Sequence, residues 1–156
     1  MSATWAGFSA SAPEMSAAGA RLLGTAASGV AYLATVRRDG GPRVHPVMPV
    51  LADGGLYVFV VNLSYKYRDL IRDGRYALHS APGAEGGEEF YLAGPAVSIP
   101  AAGVRAGVVA ASGGRPGHSE FEVLFELRIV NALHTSWANW GTSQAWPSYQ
   151  KWAAPA

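Results

Sequence analysis

The chain has 156 residues, and its 12 basic and 11 acidic side chains leave a net charge of +1, too small for a broad field that would draw in nucleic acid or an anionic membrane. There is no cysteine, which excludes disulfides, thiolate nucleophiles and cysteine-ligated zinc or iron–sulfur clusters, so any redox chemistry needs a borrowed cofactor. Charged residues make up 15% of the chain, against roughly 25% in ordinary soluble domains, and a partner subunit is the simplest cover for the uncharged surface that remains.

The length suits one domain, residues 1–156, with about two thirds of the unfolded surface buried in a single core. No basic region precedes an apolar stretch at the N-terminus, and no run approaches the roughly 18 apolar residues of a membrane span. The expectation is a soluble, cytoplasmic protein with no membrane or nucleic-acid partner.

Residues 1–10 show no clear periodicity. Pro13 and Glu14, followed by Met15, Ala18, Leu22 and Leu23, read as an amphipathic helix closing near Gly24. Val30 to Val36 is β-rich and ends in the turn signal Asp39-Gly40, and Arg43 to Leu51 is the return strand. Pro46 and Pro49 cannot donate to a ladder, so this strand is expected at an edge or bent, with backbone groups left open to a ligand. Asp53-Gly54-Gly55 turns the chain into a third strand, Leu56 to Asn62. A helix from about Lys66 to Asp73 follows, then a fourth strand, Arg75 to Ser80. Pro82 to Gly87 reads as a flexible loop, Glu88 to Ser98 as a fifth strand, Ala101 to Ala111 as a small-residue helix, Gly113 to Gly117 as a mobile connection and Phe121 to Thr135 as a long sixth strand. Strands at hairpin spacing with sparse helix favour a mainly β, six-stranded antiparallel barrel over alternating βαβ units. The tail, residues 136–156, holds Trp137, Trp140, Trp146 and Trp152, and is expected to pack across the barrel or onto a partner subunit.

The stretch Asn62-Leu63-Ser64-Tyr65-Lys66-Tyr67-Arg68-Asp69-Leu70 reads as an anion site. Ser64 is a good N-cap, so the free N–H groups of the first turn point past it. Lys66 and Arg68 sit in that first turn, where the helix dipole disfavours cations by roughly 0.3 to 1 kcal/mol each unless a phosphate binds there.

The strand pair Arg43-Val44-His45-Pro46-Val47-Met48-Pro49-Val50 and Leu56-Tyr57-Val58-Phe59-Val60-Val61-Asn62, then Ser64-Tyr65-Lys66-Tyr67-Arg68-Asp69-Leu70 and Gly74-Arg75-Tyr76-Ala77-Leu78, resembles the flavin-binding split barrels related to pyridoxamine 5'-phosphate oxidase. The likeness covers roughly residues 28 to 80. It implies a split β-barrel, usually a homodimer, with flavin mononucleotide (FMN) at the subunit interface. Ser64 and Lys66 match the family's Ser-x-Lys phosphate contacts, with Arg68 as an auxiliary cation. The backbone of His45, Pro46, Val47 and Met48 would line the flavin ring, and Val60, Val61 and Asn62 the ribityl chain; Trp137 and Trp140 read as core or interface residues, with the alternative that one of them, Trp137, stacks at the flavin of the other subunit. Met48-Pro49-Val50 replaces the basic residue that pyridoxamine phosphate oxidases carry there, and their C-terminal arginine motif has no counterpart, so the likeness implies the cofactor but not that substrate. Other branches of the superfamily use the deazaflavin F-420, or bind haem or biliverdin.

His79, His118 and His134 share no metal-ligand spacing, and no metal site is expected. The leading expectation is an FMN-dependent oxidoreductase acting on a small molecule, with no side chain required as acid or base. The alternatives are a deazaflavin F-420-dependent reductase, a carrier or sensor that binds the cofactor without turnover, and an interaction module.

Overall fold

The computed structural model describes residues 1–24, 29–81, 86–114 and 116–156. Most of the loop expected over Pro82 to Gly87, and one residue of the connection between Gly113 and Gly117, fall outside these ranges. Among the described residues nine strands form one curled antiparallel sheet with four short helices: α1 (Trp5–Ser11), α2 (Pro13–Gly24), β1 (Ala31–Val36), β2 (Pro42–Val47), β3 (Val50–Ala52), β4 (Gly55–Val61), α3 (Tyr65–Arg72), β5 (Arg75–Ser80), β6 (Glu88–Ser98), α4 (Ala102–Ala111), β7 (Glu122–Leu127), β8 (Asn131–Ala138) and β9 (Trp146–Ala153). The mainly β, antiparallel half-barrel agrees with the sequence reading, with nine strands in place of six.

Each extra strand has an identifiable cause. The expected strand Arg43 to Leu51 breaks at Met48-Pro49, because proline offers no N–H, so β2 pairs with β1 and β3 pairs with β4. The expected strand Phe121 to Thr135 changes partners midway: β7 pairs with β4 and the end of β6, while β8 pairs with the start of β6. At the switch Arg128 N–H donates to Pro95 O at 3.0 Å and Val130 N–H to Ala93 O at 2.8 Å. Gly94 is required at this crossing, since a Cβ there would lie 2.0 Å from the Arg128 carbonyl oxygen. The tail supplies β9, which pairs along its whole length with β8 from Asn131↔Ala153 to Ala138↔Trp146.

The core lies inside the curl. Ala31 and Leu33 of β1, Tyr76 and Leu78 of β5, Phe90 and Leu92 of β6 and Ala132 of β8 alternate inward and are buried. Helix α2 adds Met15, Leu22 and Leu23 from one face. Helix α1 escaped the sequence reading because seven residues are too few for a visible period; Thr4 caps it by accepting from Gly7 N–H, and Trp5 and Phe8 anchor it in the core. Phe8 meets Trp152 edge-on with ring centroids 4.9 Å apart, and Trp152 Nε1 donates to Ser11 Oγ at 3.0 Å, so part of the tail packs on the protein's own N-terminus. A smaller cluster of Val50, Tyr57, Val108 and Leu124 joins α4 to β3, β4 and β7.

The opposite face of the sheet mixes apolar and polar side chains. Pro46, Tyr32, His79, Tyr91, Leu133 and Lys151 form one cross-strand row through β2, β1, β5, β6, β8 and β9, flanked by Val44-Ala34-Ala77-Ala93 on one side and Glu89-Thr135-Tyr149 on the other. Tyr32 is 44% exposed, Val44 61% and Tyr149 58%, so among the described residues this face has no full cover.

Candidate functional site

The groove beside β2 begins with the first turn of α3. Ser64 is its N-cap: Ser64 Oγ accepts from Tyr67 N–H at 3.3 Å and donates to Val61 O at 2.6 Å. The hydroxyl hydrogen is thus turned toward β4, and Tyr65 and Lys66 keep first-turn N–H groups with no intrahelical acceptor. An anion at this helix terminus would therefore meet backbone N–H groups first, and Ser64 Oγ could donate to it only by rotating away from Val61.

Lys66 extends from this turn into a groove of about 340 Å³ lined by Val30, Pro46, Val47, Met48, Phe59, Val61, Lys66, Pro116 and Glu122. Of the expected residues the structure thus gathers Pro46, Val47, Met48, Val61 and Lys66. The side chain of Val60 points into the core and is fully buried, because its neighbours Phe59 and Val61 take the groove side of β4. Asn62, just beyond β4, is half-buried and its Oδ1 is sealed from solvent without a hydrogen-bond partner. Arg68 is exposed with its guanidinium 5.7 Å from the Tyr65 ring centroid, and makes no ion pair among the described residues. Trp137, at the far end of β8, lies edge-on to Trp140 at 5.5 Å and does not line this groove of its own chain.

His45 faces inward from β2, opposite Leu33 of β1, rather than along the groove. Its Nε2 is buried without a partner. Burial, reinforced by the charges of Lys66 and Arg43 and only partly opposed by Asp69, holds its pKa below the ordinary histidine value, so the ring is neutral at pH 7. A neutral ring adds no charge to the cations near the helix terminus.

The sequence reading missed what fixes α3. Asp69 is buried and its carboxylate accepts from Thr35 Oγ1 of β1 at 2.9 Å, from Arg43 Nε of β2 at 2.8 Å and from Arg72 Nη1 at 3.4 Å. Burial alone would raise its pKa, but the Arg43 and Thr35 hydrogen bonds outweigh it and the carboxyl titrates below the usual range. Arg43 also stacks over Tyr65 at 4.9 Å, so one guanidinium joins β2 to the body and the first turn of α3. Arg72 further donates to the carbonyl of Val36.

The groove's far wall was also missed. Glu122 opens β7 directly opposite Val61 and shares its face. The guanidinium of Arg105 donates to the carbonyls of Glu122, Gly117 and Ser119 and lies 5.0 Å over the Phe59 ring, holding residues 117–122 against β4. None of these contacts has a local sequence signal, because they join α4, β4 and a loop distant along the chain. Among the described residues no group of three or more metal-ligating side chains occurs, and no helix is long and apolar enough to cross a membrane.

No protein-family model matches the chain, and no curated protein matches it by sequence. Solved structures do share its fold. A heme-binding protein from Mycobacterium smegmatis is 22% identical over 76% of this chain, with a TM-score of 0.58, and the chain spans about half (52%) of that protein. HutZ, the heme storage protein of Vibrio cholerae, is 17% identical over 76% of this chain and 89% of its own, with a TM-score of 0.60. PhzG from Burkholderia lata, solved with tetrahydrophenazine-1-carboxylic acid, is 14% identical over 80% and 82%, with a TM-score of 0.53. The chain has the split-barrel fold of these proteins. At such identities the likeness is one of fold.

Proposed function

We propose that the groove beside β2 and α3 binds FMN and that the protein is a flavin-dependent oxidoreductase. The observation that carries this is Lys66: a lysine without an ion pair among the described residues, at the positive end of α3, opening onto an otherwise largely apolar groove. Such an arrangement is unfavourable until a phosphate arrives, and favourable afterwards. The residues fit the group on two further counts. Asn62 Oδ1 is an orphaned acceptor beside the anion site, suited to a ribityl hydroxyl, and Pro46, Val47, Met48, Phe59 and Val61 offer apolar surface for an aromatic ring system. Arg43, Lys66 and Arg68 would meet the phosphate charge, with the Tyr65 and Lys66 amides beneath it. A bound flavin supplies the electron-transfer chemistry; the protein anchors, orients and shields it.

The assembly proposed with this reading is a homodimer. The outer row from Pro46 through Tyr32, His79 and Tyr91 to Leu133 is continuous with the groove at Pro46, so a second copy laid on that face would close the groove's open side. Trp137 and Tyr149 belong to the same face and are available to a partner's ligand.

The test is an absorption spectrum of purified protein with mass analysis of released small molecules, followed by titration with FMN and with the deazaflavin F-420. A yellow protein, or saturable FMN binding with quenched flavin fluorescence, is expected. Binding of neither compound removes this reading, and a haem spectrum replaces it.

A further inference from the structure

We infer that the substrate taken up next to the cofactor carries a positive charge, and that Glu122 selects it. This rests on the flavin reading of the groove. Among the described residues, two charged side chains, Lys66 and Glu122, line the groove, and they form no ion pair with each other. A cofactor phosphate answers Lys66. Glu122 then remains as a carboxylate facing apolar surface formed by Phe59, Val61, Met48 and Pro116.

That carboxylate is held rigidly. Its Oε2 accepts from Gly117 N–H at 2.9 Å and from Ser119 N–H at 3.1 Å, and the same loop is tied from behind by Arg105 through three carbonyls. Arg105 binds those backbone oxygens and forms no ion pair with the Glu122 carboxylate. Among the described residues Oε1 has no partner, and no cation neutralises the group. Fixing a loop requires only the one oxygen that the two amides already use. The second oxygen is an oriented acceptor with a full charge in a half-buried setting, where a charged N–H donor is the strongest complement. An anionic substrate would face repulsion from the same group, and a neutral one would leave it unpaired on losing water.

The experiment compares three ligands of the same ring size by calorimetry, on the protein with and without added FMN: benzamidinium, neutral benzamide and anionic benzoate. Benzamidinium should bind at least about tenfold more tightly than benzamide, with benzoate weakest, and the preference should shrink as salt is raised. In Glu122→Gln, which keeps an oxygen for the two amides, the preference should fall to within about twofold. Equal binding of benzamidinium and benzamide by the wild type overturns the inference without needing any variant, as does a preference that survives in a folded Glu122→Gln protein. The two proposals fail separately. Flavin binding without cation preference removes the role of Glu122 alone, whereas a Glu122-dependent preference in protein that binds no flavin keeps Glu122 and removes the flavin.

Discussion

Replacing Asp69 with alanine should both destabilise the fold and weaken the anion site. The carboxylate is almost fully buried, with 4% of its side chain accessible, and holds Thr35, Arg43 and Arg72. Removing one partner of a buried ion pair costs about 3 to 5 kcal/mol because the other charge is left uncompensated. Arg43 keeps 26% of its side chain accessible and can recover some water, which places the expected loss near the lower end, about 3 kcal/mol. Urea unfolding at pH 7, with the denaturant slope unchanged, reads this as a shift in midpoint. The pH dependence follows from the sign of the shift. The folded pKa of Asp69 is depressed, so its stabilisation is fully present above the ordinary carboxyl value of about 3.9 and is lost as pH falls through the folded value. Wild type and Asp69→Ala should therefore differ most near neutrality and converge in acid. A loss below about 1 kcal/mol at pH 7, or a difference that persists unchanged in acid, would refute the argument. Because α3 also presents Lys66, the variant should bind FMN more weakly although Asp69 touches no ligand.

Lys66→Ala should cost about 1.5 to 3 kcal/mol of FMN affinity, the size of a charge-assisted hydrogen bond, with little change in thermal stability; equal affinity in a fluorescence titration takes Lys66 out of the site. Gly94→Ala should destabilise by about 3 kcal/mol, since its Cβ would meet the Arg128 carbonyl oxygen at 2.0 Å and the Val130 nitrogen at 3.1 Å, both backbone atoms that cannot swing aside, and denaturant unfolding measures it. Leu133→Glu, on the outer face of β8, should turn a dimer into a monomer by sedimentation while leaving the core intact, and a dimer that survives it places the interface elsewhere.

Local signals read well where they act over a few residues. Pro13 and the spacing of Met15, Leu22 and Leu23 set α2, and Ser64 set the start of α3. The turns at Gly40 and Gly54 are left-handed, with φ of +84° and +76°, as their turn sequences implied. The bounds of β5 and β6 match the sequence reading because Gly74 and the loop before Glu88 punctuate them. The long run from Phe121 to Thr135 read as one strand because β propensity is continuous through it; what divides it is a change of partner at Arg128 to Val130, which no local pattern encodes.

The same division runs through the site. Sequence alone determined that a helix should begin at Ser64 and raised the expectation of an anion there, because a cap and two basic residues against a helix dipole are encoded within five residues. It determined that the second strand lies at an edge or bends, because Pro46 and Pro49 have no N–H to give. Only the tertiary structure decided that His45 turns inward and stays neutral, that Val60 belongs to the core, and that Asp69 rather than Arg68 ties α3 to the sheet. It also brought Glu122 opposite Val61, sixty-one positions earlier in the chain. These depend on which face of a strand each residue takes and on which strands lie side by side, quantities fixed by long-range pairing and burial and not by neighbours in sequence.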